Sequence, residues 1–127
     1  MDKCILLYGF NNFQIEQIRK AFVMRDFEVR LVPKEHYGLL IGELIGEYEV
    51  RQEYETGLDI PGRMLVVSGV EEAEIADTFE LLNKVTGKLA YHKAVVTDTN
   101  KNWTSARLFM EVDREYREIR RRQKLRR

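Results

Sequence analysis

Two apolar runs, each closed by a glycine, constrain this chain more than any other feature. "CILLYGFNNFQIEQIRKAF" begins at Cys4 and "MLVVSGVEEAEIADTFELL" begins at Met64. A continuous aliphatic run closed by Gly reads as a buried strand. The closing residues, Gly9 and Gly69, are 60 positions apart. At that offset Leu7 matches Val67, Phe10 matches Val70, Ile15 matches Ile75 and Phe22 matches Leu82. Each glycine is followed by one apolar residue, then polar residues, then helical spacing. Phe13, Ile18, Ala21 and Phe22, with Ile15 beside them, are expected to face the core from the first helix. Ala73, Ile75, Ala76, Phe79 and Leu82 are the corresponding set in the second. Asn11 or Asn12 suits the first N-cap, the glutamates at 71, 72 and 74 suit the second helix start, and Gly87 suits its end.

A second strand follows each helix. In "FEVRLV" Phe27, Val29 and Leu31 alternate with charged residues. In "KLAYHKAVV" Leu89 and Tyr91 alternate before Ala94-Val95-Val96. The correspondence continues at an offset of 64, where Val32 matches Val96, Leu39 matches Trp103, Leu44 matches Leu108 and Ile45 matches Phe109. Trp103 therefore stands where a helix begins after a polar turn, and it is expected to be largely buried against the sheet. Asn102 or Thr104 is expected to cap that helix.

The fold class expected is α/β: two βαβα pseudo-repeats, residues 4–46 and 64–112, forming a four-stranded, mostly parallel sheet with helices packed on it. A ferredoxin-like α+β sandwich is the alternative. Residues 1–119 form one domain on this reading. Residues 47–63 read as an exposed acidic loop and residues 120–127 as a basic tail. With 127 residues and 44% hydrophobic content the chain is long enough for one core. If all four strands run parallel, the loops after them share one edge, the usual ligand edge of open α/β sheets.

The net charge is zero but segregated. Residues 114–127 hold eight Arg or Lys against two Glu, a local charge of +6, which leaves −6 on the rest. Six carboxylates face one Arg within residues 43–59. The stripe Leu108, Phe109, Val112, Tyr116 and Ile119 is expected to be helical, with fraying beyond Ile119. Arg120, Arg121, Arg122, Lys124, Arg126 and Arg127 are the candidate contacts for an anion or an acidic partner, with nucleic acid as one option.

Catalytic signatures are not evident: the chain contains no Walker loop, GxGxxG or GxSxG. His36 and His92 have no partners at metal-ligand spacing, and both are expected to be exposed. Cys4 reads as a buried small hydrophobe. The run after Met1-Asp2-Lys3 is too short for a leader or a membrane span, so a cytoplasmic protein is expected. Candidate ligand contacts are Asn11, Asn12, Ser68, Thr97, Asp98, Thr99, Asn100 and Trp103, with no cofactor and no metal. The leading expectation is a binding or regulatory domain without catalysis, partnered by a protein or by a second copy of itself. The alternatives are an enzyme on a small anionic substrate with Asp98 as base, and a nucleic-acid accessory protein using its tail.

"ILLYGF", "MLVVSGVEEAEI" and above all "AVVTDTNKNWT" resemble an uncharacterised bacterial family, the domain of unknown function numbered 3783. Thr97, Thr99, Asn100, Trp103 and Thr104 look like its Thr-x-Thr-Asn-x-x-Trp-Thr signature, with Asp98 where the family commonly carries Pro. The resemblance runs over about residues 4–112. It implies a self-contained domain and no particular activity.

Overall fold

The computed structural model describes residues 2–87 and 89–126, so Met1, Lys88 and Arg127, and the expectations resting on them, lie outside the described residues. The elements run β1 (Lys3–Tyr8), α1 (Asn12–Phe22), β2 (Phe27–Leu31), α2 (Ile41–Leu44), β3 (Met64–Ser68), α3 (Glu72–Thr86), β4 (His92–Val95) and α4 (Ser105–Leu125). Single 3-10 turns at Val23–Arg25, Lys34–His36 and Asn100–Asn102 punctuate the chain. The order is strand, helix, strand, helix, twice.

The four strands form one sheet in the order β2-β1-β3-β4. β1 is parallel to β2 and β3 is parallel to β4, while the central pair β1 and β3 is antiparallel. Leu6 pairs with Val66, its counterpart 60 residues on. Leu40 bridges Thr104, its counterpart at the second offset of 64. Equivalent residues thus face each other across the junction of the two units, as a local two-fold axis requires. A ferredoxin-like sheet would pair its neighbouring strands antiparallel throughout, and this sheet does not.

Strand alternation distributes the core over both faces. Ile5, Leu7, Leu65 and Val67 meet α1 and α3 through Ile15, Ile18, Phe22 and Leu82. Cys4, Leu6, Tyr8, Met64 and Val66 meet α2, α4 and the long loop through Ile41, Leu108, Phe109 and Ile60. The central strands are covered on both sides, which explains their unbroken apolar runs. Each fully buried aliphatic side chain here contributes about 1.5–3 kcal/mol. Burial raises the Cys4 thiol to about 11, opposed by Arg30 and aided by Glu28, so the thiolate is not populated at neutral pH.

The caps follow the sequence. Asn11 accepts from the Gln14 amide at 2.8 Å while Gln14 Oε1 accepts from the Asn11 amide at 2.9 Å, a reciprocal capping box. Gly87 ends α3 in the left-handed region at φ 65°. Thr104 caps α4 by accepting from the Arg107 amide at 3.1 Å.

The helix faces differ from expectation at particular positions. Phe13 is 71% exposed, whereas Ile15, Ile18 and Phe22 are buried as the spacing predicts. In α3 the buried pair is Thr78 and Leu82, while Ala73 and Ala76 are exposed. Thr78 enters the core because its hydroxyl donates to the Glu74 carbonyl at 2.8 Å and leaves its methyl to pack.

Residues 47–63 are largely exposed and irregular, yet they are pinned at several points. Glu43 in α2 has a side chain only 1% exposed. It accepts from the amides of Leu40 at 2.8 Å and Arg51 at 2.7 Å, and from the Arg51 guanidinium at 3.0 Å. Arg51 also donates to the Gly38 carbonyl at 3.2 Å. Ile60, farther along, enters the core.

Candidate functional site

The antiparallel central pair decides where the candidate residues lie. The ends of β1 and β2 open on one edge of the sheet, and the ends of β3 and β4 open on the other. The four loops therefore divide two and two, and the single four-loop edge is replaced by two smaller ones. Asn11 and Asn12 belong to the first edge, where Asn11 is committed to its capping box. Ser68, Thr97 and Asp98 belong to the second.

On that second edge a cleft of about 390 Å³ is lined by Ser68, Glu71, Thr97, Asp98, Lys101 and Glu47, among others. Ser68 is 3% exposed. Lys101 sits between Glu47 at 3.3 Å and Asp98 at 3.4 Å, and hydrogen bonding to Glu47, then Asp98, raises its pKa. Three carboxylates against one ammonium disfavour an anionic ligand. The Asp98 side chain is fully exposed, at 103% of its reference area. A general base works best where water is partly excluded, and this carboxylate is open to water. Sequence reasoning missed Glu47 and Lys101. Lys101 lies within the "TDTNKNWT" run itself, three residues after Asp98, whereas Glu47 comes from a turn remote in sequence that nothing local marks.

Thr97, Asn100 and Trp103 line a different cleft of about 310 Å³ between β4 and α4. The "TDTNKNWT" run is above all a structural lock. The Thr97 amide donates to Asn100 Oδ1 at 2.8 Å, the Asn100 amide donates to Thr97 Oγ1 at 3.1 Å, and Asn100 Nδ2 donates to the Val95 carbonyl at 3.0 Å. Asn100 is 8% exposed, and its amide and both side-chain polar atoms have partners in the turn or in β4. Thr99 is exposed at the start of this turn. Asn102 donates to the Asp98 carbonyl at 3.1 Å and accepts from Tyr48 at 2.9 Å, tying the turn to the long loop.

Trp103 is half-buried, not largely buried. Its ring packs on the core while Arg107 covers it at 4.4 Å from the centroid. Its equivalent Leu39 is 3% exposed. The larger ring is only partly enclosed, and one face meets a cation instead of core. Trp103→Ala is expected to cost about 2–3 kcal/mol, below the ~3–5 of a fully enclosed aromatic. Chemical denaturation checks this, and a cost below about 1 kcal/mol would show that the ring is not part of the core.

His92 is the clearest displacement from expectation. Alternation turns it away from Leu89 and Tyr91, but the face it meets is covered by α4 and not by solvent. Its Nε2 lies 2.8 Å from Asp113, and its ring packs against Phe109 and Tyr116 with centroids at 4.9 and 5.6 Å. Arg117 holds the other Asp113 oxygen at 2.9 Å. His36 is half-buried beside Tyr54. Among the described residues no three His, Cys, Asp or Glu side chains gather closely enough to hold a metal ion. No described helix is long and apolar enough to cross a membrane.

The basic segment is ordered where fraying was expected. α4 continues as one helix to Leu125, a length of roughly 31 Å. Ion pairs along it explain this: Arg114 to Glu111 at 2.8 Å, Arg117 to Asp113 at 2.9 Å, and Arg121 and Arg122 to Glu118 at 2.8 and 3.5 Å. Each places the acid before the base at helical spacing, worth roughly 0.3–0.5 kcal/mol, and the terminal cations complement the helix dipole. Arg120, Arg121, Arg122, Lys124 and Arg126 are all exposed, and Arg120 lies 5.8 Å from the Tyr116 centroid. Among the described residues no ion pair joins this arm to residues 43–59. Tyr116, Ile119 and Leu125 are exposed by 50%, 55% and 74% along it.

The family described as domain of unknown function (DUF3783) matches residues 63–119, which span the second strand-helix-strand-helix unit and the base of the arm. The match covers the "TDTNKNWT" lock and stops before the basic end. No curated protein and no solved structure matches the chain.

Proposed function

We propose that this chain is a cytoplasmic, non-catalytic binding domain whose contact element is the basic end of α4. One observation carries the reading: a helix of 21 residues packs on the sheet with its first half and extends beyond it with a second half that is exposed and strongly basic. A helix end that touches the body through Tyr116 and keeps a half-exposed apolar stripe beside its cations is suited to an acidic partner. Single exposed ion pairs are worth only about 0–1 kcal/mol, so binding requires several together with the apolar stripe.

Labelled poly-L-glutamate, followed by fluorescence anisotropy, tests the reading. The full chain is expected to bind at low salt and to lose the ligand as salt rises. A chain ending at residue 119 is expected to bind at least about tenfold more weakly while its melting temperature shifts by no more than a few degrees. Equal binding by the two chains would overturn the assignment.

The cleft at Ser68 and Lys101 supports a second reading, a seat for a small polar molecule carrying positive charge. Glu47, Glu71 and Asp98 outnumber Lys101 around it. Thermal shift with small amines, compared between the parent and Asp98→Asn, tests this, and identical shifts would remove it.

A further inference from the structure

We infer that the partner of the basic arm is a second copy of this chain, each arm seating its Tyr116 and Ile119 stripe in a groove of the other protomer lined by Leu31, Val50 and Tyr54, with its cations meeting Glu49, Glu53 and Glu55 of the same acidic loop. This rests on the arm being the contact element and adds what it contacts.

The arm carries +6 and the remainder −6, so the chain is complementary to itself. A groove of about 260 Å³ runs between the end of β2 and the long loop, lined by Leu31, Val32, Leu44, Val50 and Tyr54 among others. Leu31 and Val50 are exposed by 42% and 58% there. Glu49, Glu53 and Glu55 are exposed and have no ion pair among the described residues. Arg30, also on the wall, is neutralised by Glu28 at 2.8 Å. The groove is therefore lined mainly by apolar side chains, and two of these, Val50 and Tyr54, belong to the acidic loop that carries Glu49, Glu53 and Glu55, whereas the arm is apolar along one stripe and basic beside it.

Geometry keeps the arm from filling its own groove. α4 packs along β4, while the groove lies along β2, at the opposite side of the sheet. Three strand spacings, roughly 14 Å, separate those edges, and the helix runs on unbroken to Leu125. A reciprocal, two-fold pair of chains satisfies both arms and both grooves and closes without leaving a free end. Nucleic acid is the weaker match, because the acidic body repels phosphate and the apolar groove is left unused. A long irregular loop such as residues 47–63 is also uncommon in a compact domain unless it serves a contact.

The experiment is sedimentation equilibrium of the full chain with paired charge reversals, the fold of each variant being checked by circular dichroism. The parent is expected to be a dimer at low salt and to dissociate as salt rises. The arm variant Arg120→Glu/Lys124→Glu and the loop variant Glu53→Lys/Glu55→Lys are each expected to weaken self-association at least about tenfold. Mixing the two is expected to weaken it less, because the reversed arm of one then meets the reversed loop of the other in a heterodimer. A parent that stays monomeric at low salt over the micromolar range overturns the inference. So does a dimer indifferent to both reversals, or a monomer whose arm binds a short RNA. If the monomer's arm still binds poly-L-glutamate, the second copy is excluded while the arm remains the contact element.

Discussion

Gly69→Ala is expected to destabilise the fold by about 3 kcal/mol or more and to lower its melting temperature correspondingly. Two effects combine at this position. Its φ of +79° lies in the left-handed region, which a side chain enters at a cost of about 1–2 kcal/mol. A Cβ there would also collide with the backbone carbonyl of Asp2, immediately before β1. Backbone cannot step aside as a flexible side chain can, so relief must come from shifting β1 against β3, the pairing on which the two units join. Gly9 is the informative comparison. Its φ is +78°, but a Cβ would meet the Gly62 carbonyl at 3.1 Å, tight yet not a collision. Gly9→Ala is therefore expected to cost less than Gly69→Ala. Urea unfolding of the two variants checks the order, and equal costs would mean that backbone strain alone, without the collision, accounts for both.

Removing Glu43 is the second large effect. Glu43→Ala leaves the Leu40 and Arg51 amides and the Arg51 guanidinium without their acceptor, and a loss of about 2–4 kcal/mol is expected. The pH dependence separates the charge from the shape. Burial pushes the Glu43 carboxyl up, but the amides of Arg51 and Leu40, together with the Arg51 guanidinium, outweigh it and bring it below the ordinary 4.5. A depressed folded-state value means that this stabilisation is fully present above pH 4.5 and is lost as pH falls through the folded value. Glu43→Gln keeps the shape and removes the titration. Its deficit relative to the parent is expected to be constant above that window and to shrink below it. A deficit unchanged down to strongly acidic pH would show that the Glu43 charge contributes nothing to folding.

Much of the fold was legible because it rests on local chemistry. The glycines that close β1 and β3, the cap at Asn11, the left-handed Gly87 and the cap at Thr104 are each written within a few residues. The parallel pairing within each unit was legible too, but the direction of the second unit relative to the first was not. Alternation is identical whether β3 runs with β1 or against it, and the choice depends on the connection. After β2 the chain crosses the sheet to bridge Thr104 through Leu40, and residues 46–63 carry it back until Gly62 lies beside Gly9. That return needs no periodicity, so nothing in its sequence announces it. His92 shows the same limit. Its position on the strand could be read, but the cover supplied by α4 could not. The candidate site divided for this reason: Ser68, Thr97 and Asp98 share a cleft, whereas Asn11 and Asn12 lie across the sheet. Asn100 and Thr104, prominent in the sequence, turn out to hold the turn before α4 in place. The persistence of α4 beyond Ile119 depends on ion pairs at helical spacing, which an inspection of apolar residues alone does not register.

Hydrogen exchange along α4 tests the central claim, that the basic end of this helix is a contact element independent of the folded body. In the full chain at high salt, amides of residues 105–113 are expected to be protected like the sheet, and those of residues 117–125 to exchange nearly as freely as an isolated helix. At low salt, or with poly-L-glutamate added, protection is expected to extend toward residue 125. Strong protection of residues 117–125 at every salt concentration would place the arm within the folded body. Free exchange under all conditions would mean that it binds nothing, and either result contradicts the account.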